Sequence, residues 1–75
     1  MQRYKAKGDI PASRIMSNVE IRDEPKQLTD FTETIRTGAW WTIEEERGSI
    51  IFLREHGGTA IRGISANFKD KLGHV

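Results

Sequence analysis

The chain has 75 residues, 36% of them hydrophobic and 31% charged, with a formal net charge of +1 and no cysteine. A chain this short buries only about 60% of the surface its unfolded form exposes, so its core is small and its stability marginal unless something adds to it. The absence of cysteine excludes disulfides, thiolate zinc sites and cysteine nucleophiles together. The longest apolar run, Ile50-Ile51-Phe52-Leu53, falls far short of the roughly 20 residues of a membrane helix, so no membrane partner is expected. No apolar stretch follows the charged N-terminus as a secretory signal would require, and a cytoplasmic location is the expectation. Charge is unevenly spread: residues 1–19 are basic, 20–46 acidic and 47–75 basic again.

In chain order, Arg3 to Lys7 alternates charged with less polar side chains, as a short edge strand or an ordered arm does. Residues 1–17 are thus a candidate N-terminal arm on a single domain spanning 1–75. Asp9-Ile10-Pro11-Ala12-Ser13 reads as a turn, or as one helical turn opening at Pro11. Val19-Glu20-Ile21-Arg22 alternates like a strand. The clearest element begins at Pro25, which suits a first helical position. Leu28, Phe31 and Ile35 follow at i, i+3 and i+7, and Gly38 stands where a C-terminal cap belongs, so the spacing predicts an amphipathic helix over 25–37.

Residues 39–64 fit two descriptions. Thr42-Ile43-Glu44-Glu45 matches a capping box, and Gly57-Gly58 would end a helix running from 43 to 56. Gly48 would then sit inside that helix at a cost of about 1 kcal/mol relative to alanine, and Ile-Ile-Phe favours a strand. The preferred reading is three strands, 39–46, 50–55 and 59–64, turning at 47–49 and 56–58. Ser65 then caps a short helix that packs through Phe68 and Leu72. The fold class expected is α+β: a small antiparallel three- to four-stranded meander packed against one amphipathic helix, with a short C-terminal helix.

Little in the chain points to catalysis. His56 beside Glu55 and Gly57-Gly58 could be read as a base next to a backbone nest, but the same residues make an ordinary hairpin turn, and the second histidine, His74, is in the tail. No catalytic residue is assigned. In Glu44-Glu45-Glu46 alternate strand side chains point to opposite faces, so at most Glu44 and Glu46 converge. No metal ligand set and no cofactor-binding motif is assigned.

The adjacent Trp40 and Trp41 are more informative. On a strand they face opposite ways, Trp41 with Ile43 and Trp40 with Thr42 and Glu44, and Ile50 to Leu53 likewise send an apolar pair to each face. Either residues 1–21, through Tyr4, Ile10, Ile15 and Met16, cover the second face, or a partner does. The partner reading makes Trp40 the anchor, Phe52 its apolar neighbour and Arg47, Arg54 and Arg62 the polar rim, since tryptophan and arginine concentrate at the centres of interfaces. The expected function is a small non-enzymatic protein-interaction module: a homo-oligomer, a small subunit, or a regulator or inhibitor of a larger protein. The alternative is a nucleic-acid-binding protein that stacks a base on Trp40 and meets phosphates with Arg47, Arg54, Arg62, Lys69 and Lys71. In layout alone, the strand, double-glycine turn, strand and short helix of residues 50–72 are similar to those of small archaeal chromatin proteins that lay a three-stranded sheet on DNA. Those proteins are lysine-rich whereas this chain is nearly neutral, and no residue role carries over.

Overall fold

The computed structural model describes residues 3–16 and 30–74. Within them run β1 (Arg3–Ala6), β2 (Ile10–Ile15), β3 (Glu33–Ile35), β4 (Trp40–Arg47), β5 (Ile50–Glu55), β6 (Ile61–Ser65) and β7 (Leu72–His74), with one 3-10 segment, Ala66–Lys71, between β6 and β7. All strand pairs are antiparallel, and the seven strands form one sheet in the order β3-β2-β6-β5-β4-β1-β7.

This architecture corrects the expected α+β meander. The strands at 39–46, 50–55 and 59–64 exist as β4, β5 and β6, but they are the middle of a seven-stranded half-barrel. No amphipathic helix packs on them among the described residues. Of the stretch 25–37, residues 25–29 lie outside the described residues, and Glu33–Ile35 is β3, hydrogen-bonded to β2 with Ile10 opposite Ile35. The pattern Leu28, Phe31, Ile35 matched a helical face, yet residues 32–37 also hold Thr32, Thr34, Ile35 and Thr37, and β-branched side chains suit a strand. The expected C-terminal helix is instead a single 3-10 segment. Ser65 does accept a hydrogen bond from the Asn67 amide at 3.2 Å, but Leu72 leaves that segment to open β7.

The topology forces the sheet to curl. β1 and β2 lie four positions apart in the strand order, which in a flat sheet is about 19 Å at ~4.8 Å per strand. Only Lys7, Gly8 and Asp9 join them, and that link spans at most about 14 Å. β3 and β4, also four positions apart, are joined by residues 36–39 alone. The overall extents of 29 × 21 × 20 Å agree, because a flat single layer would be far thinner in one direction.

The two short links are also tied to each other. Ala6 N–H donates to the Ala39 carbonyl at 3.0 Å and Gly38 N–H to the Ala6 carbonyl at 2.8 Å. Asp9 Oδ1 accepts from both the backbone N–H and the hydroxyl of Thr37, at 2.8 Å each. Residues 36–39 close a turn through Ala39 N–H to the Arg36 carbonyl at 3.0 Å, with Gly38 at φ 90°, the positive value a type II turn needs at its third residue. Chain 3–12 therefore runs antiparallel to chain 33–42, and both bend at the same corner.

Curling gives the sheet an inner and an outer face. The inner core draws on every strand: Ala6, Ile10, Ala12, Ile35, Trp41, Ile51, Leu53, Ile64 and Leu72 form one buried cluster. Alternate positions supply a second cluster on the outer face, Ile15, Ile50, Phe52 and Ile61. Residues 3–6 and 10–15 do not lie across the second face to cover it; they extend the sheet as β1 and β2.

Candidate interaction surface

Strand alternation divides the two tryptophans as their adjacency requires. Trp41 stands opposite Tyr4 and Glu55 and is buried in the inner core, where its indole N–H has no hydrogen-bond partner among the described residues. Trp40 stands opposite Lys5 on the outer face and keeps 36% of its surface exposed. Two cations flank its ring: the Arg3 guanidinium lies 5.9 Å from the ring centroid and the Lys5 ammonium 6.0 Å. Such contacts hold a cation near an aromatic face with about 0.5–1 kcal/mol at exposed sites. His56 joins the group, with its backbone N–H donating to the Trp40 carbonyl at 3.0 Å and its Nε2 3.5 Å from Arg3 Nη1.

Period-two alternation also puts Lys7 on this side of β1. Its aliphatic stem passes within 3.3 Å of the point where a Cβ on Gly73 would stand, and Gly73 is the residue opposite Lys5. Arg3, Lys5 and Lys7 thus form a basic stripe along β1, one strand in from the open edge at β7. None of the three makes an ion pair with any described residue.

The residues singled out from sequence are not all gathered here. Phe52 lies on the outer face but is 0% exposed, so it supports the surface from beneath. Arg54, opposite Thr42 on the same face as Trp40, is paired with Glu44 at 3.1 Å. Arg47 is paired with Glu45 at 2.8 Å beside the β4–β5 turn. Arg62 shares the inner face with Leu53 and lies 3.8 Å from Glu33. Arg3 and Lys5 were not singled out, and His56 was weighed only as a catalytic base and not as part of a contact surface. The signal for the first two was present in the alternation of Arg3-Tyr4-Lys5, but only the β1–β4 register shows that it lands on Trp40.

The glutamate triplet departs from simple alternation. Ile43 pairs with Leu53 and Glu45 with Phe52, so Glu44 is the extra residue of a β-bulge. Glu44 and Glu45 therefore reach Arg54 and Arg47, whereas Glu46 turns to the other face and binds Lys69 at 3.1 Å. Glu44 and Glu46, the only pair that strict alternation would have let converge, thus lie on opposite faces. Among the described residues no group of three or more His, Asp or Glu side chains is placed to hold a metal ion, and no helix is long and apolar enough to cross a membrane.

No protein-family model matches the chain, and neither a curated protein nor a solved structure does. What stands on the geometry is a small β-rich domain that exposes Trp40 and cationic side chains together on one face.

Proposed function

We propose that this is a non-enzymatic protein-interaction module whose contact surface is Trp40 with Arg3, Lys5 and Lys7, and that it receives an acidic stretch of another polypeptide, a second copy included. The observation that carries this reading is the half-exposed Trp40 ring with two cations about it that have no carboxylate partner among the described residues. A rigid aromatic supplies apolar contact at little entropic cost, and cations at its rim select for negative charge on the partner.

The nucleic-acid alternative is the weaker one. It relied on Trp40 with Arg47, Arg54, Arg62, Lys69 and Lys71, and the first four of those cations face Glu45, Glu44, Glu33 and Glu46. Three cations on one strand neutralise few phosphates, and affinity for nucleic acid rises with that number.

Sedimentation velocity of the purified protein, alone and with a glutamate-rich peptide carrying one aromatic residue, separates the readings when repeated with a single-stranded oligonucleotide at low salt. Self-association or peptide binding that is lost in the Arg3→Glu, Lys5→Glu double variant is the expected result. Monomeric protein that ignores the peptide, or tighter binding of the oligonucleotide, overturns the proposal.

A further inference from the structure

The strand order leaves the sheet two edges, β3 and β7. An open edge is a template for a further strand unless lysine, proline or a bulge blunts it. β7, Leu72-Gly73-His74, has none of these, and its register with β1 is regular. Alternation divides its backbone groups. Lys7 N–H donates to the Lys71 carbonyl at 2.7 Å, so two residues on, Lys5 and Gly73 are the next pair to exchange bonds, and Leu72 and His74 turn their N–H and C=O groups away from β1. The Leu72 N–H donates to the Lys69 carbonyl. The Leu72 carbonyl and both His74 backbone groups are left without a partner among the described residues.

The two faces beside this edge differ in chemistry. On the outer face Gly73 puts no side chain between Lys5 and the edge, and the exposed Lys7 leans over the glycine, its stem within 3.3 Å of the point where a Cβ would stand. On the inner face Leu72 and Ala6 belong to the buried core, with Tyr4 packed against it. Taking the contact surface proposed above as given, we infer that its acidic partner binds as an added antiparallel strand on β7, and that the segment alternates acidic with apolar residues. The residue opposite Gly73 sends its side chain to the outer face, where a carboxylate meets Lys7 and Lys5 across the bare glycine. Two strand spacings, about 10 Å, separate its backbone from β1, a gap that a glutamate and a lysine close when extended toward each other. Residues opposite Leu72 and His74 turn inward, and apolar side chains there prolong the core. Main-chain bonds supply affinity in this mode and alternate side chains supply specificity. The β3 edge of a second copy is the poorer occupant, because Ile35 is an inner residue and Thr34 would meet the lysines.

The probe is a short peptide alternating glutamate with valine, with a control in which the same glutamates are grouped together. Amide NMR shifts read affinity, and hydrogen exchange at the His74 amide reads strand addition. The alternating peptide is expected to protect that amide and to bind about tenfold more weakly to His74→Pro, which removes an outward N–H and leaves the β1 ladder intact. N-methylation of the peptide's valines, whose amides would face β7, should weaken binding with the protein unchanged, whereas N-methylation of its glutamates should not. Binding that is lost in the Arg3→Glu, Lys5→Glu double variant but unmoved by His74→Pro and by N-methylation overturns strand addition and leaves the contact surface standing. Failure of every peptide to bind overturns both. Equal binding of the grouped peptide overturns the alternation, and self-association that His74→Pro abolishes overturns the choice of a different polypeptide.

Discussion

Two aromatic residues on the same outer face show how burial separates folding from contact. Phe52 is 0% exposed in the cluster with Ile15, Ile50 and Ile61, and truncating a buried phenylalanine costs about 3–5 kcal/mol in lost transfer energy and cavity. Trp40 is more than a third exposed and has only the cation contacts to lose beyond partial burial, so Trp40→Ala is expected to cost about 1–2 kcal/mol. Urea titration of the two alanine variants checks this. If Trp40→Ala proves as destabilising as Phe52→Ala, then Trp40 is a core residue and the interaction surface loses its anchor. In the sequence both residues read as apolar members of one face; their different depths follow from the curl of the sheet, which residue types alone do not reveal.

At the level of single elements, the β4–β5 hairpin shows what a one-residue irregularity does. Its turn, Gly48-Ser49, follows Arg47 and precedes Ile50, which pair with each other. Gly48 takes φ 61°, whereas no non-glycine residue among the described ones, Ser49 included, has a positive φ, which identifies a type II′ turn. Further along, the bulge at Glu44 resets the alternation so that Glu46 shares a face with Ile51 and reaches Lys69. Removing one glutamate from the triplet should therefore leave a regular ladder in which Ile43 still meets Leu53 and Arg47 still meets Ile50. Cross-strand NOEs between those pairs test it, and a shifted register would show that the bulge is needed to hold the pairing. Turn residues made β4, β5 and β6 legible in the sequence, because Gly48 and Gly57 mark their ends. β2 was hidden by Pro11, which usually argues against an interior strand. Here the β2–β6 ladder runs only from Ser13 to Ile15, so Pro11 lies beyond it, where no amide is required on that side. The β3 pairing was hidden for a different reason: Ile35 fits a helical pattern equally well until Ile10 is placed opposite it.

For the molecule as a whole, closure at the corner formed by residues 7–9 and 36–39 decides whether the inner core is enclosed. Asp9 is the only charged group in the direct hydrogen bonds between the two links. The bond from the Thr37 backbone N–H, then that from its hydroxyl, hold the Asp9 carboxyl below the usual carboxylate range, with smaller help from Arg36 and Lys71. A carboxyl whose pKa is depressed on folding binds its proton more readily when unfolded, so its contribution is fully present above the ordinary value of about 4 and is lost as pH falls through the folded value. Stability is therefore expected to decline below pH ~4 more steeply in the parent protein than in Asp9→Asn, measured by urea midpoints across that range. Equal slopes would mean that the corner is held by its backbone bonds alone.

The pairing of β1 with β7 places Tyr4 opposite His74 in antiparallel register. Polypeptide leading into Arg3 and polypeptide continuing from His74 therefore meet the barrel at one place on its rim. A unit of this shape can be spliced into a surface loop of a host protein without stretching the host, since entry and exit lie about one strand spacing apart. The same geometry brings any attached tag close to Arg3 and the Trp40 ring, so a fusion at either end would crowd the surface on which the proposed contact depends.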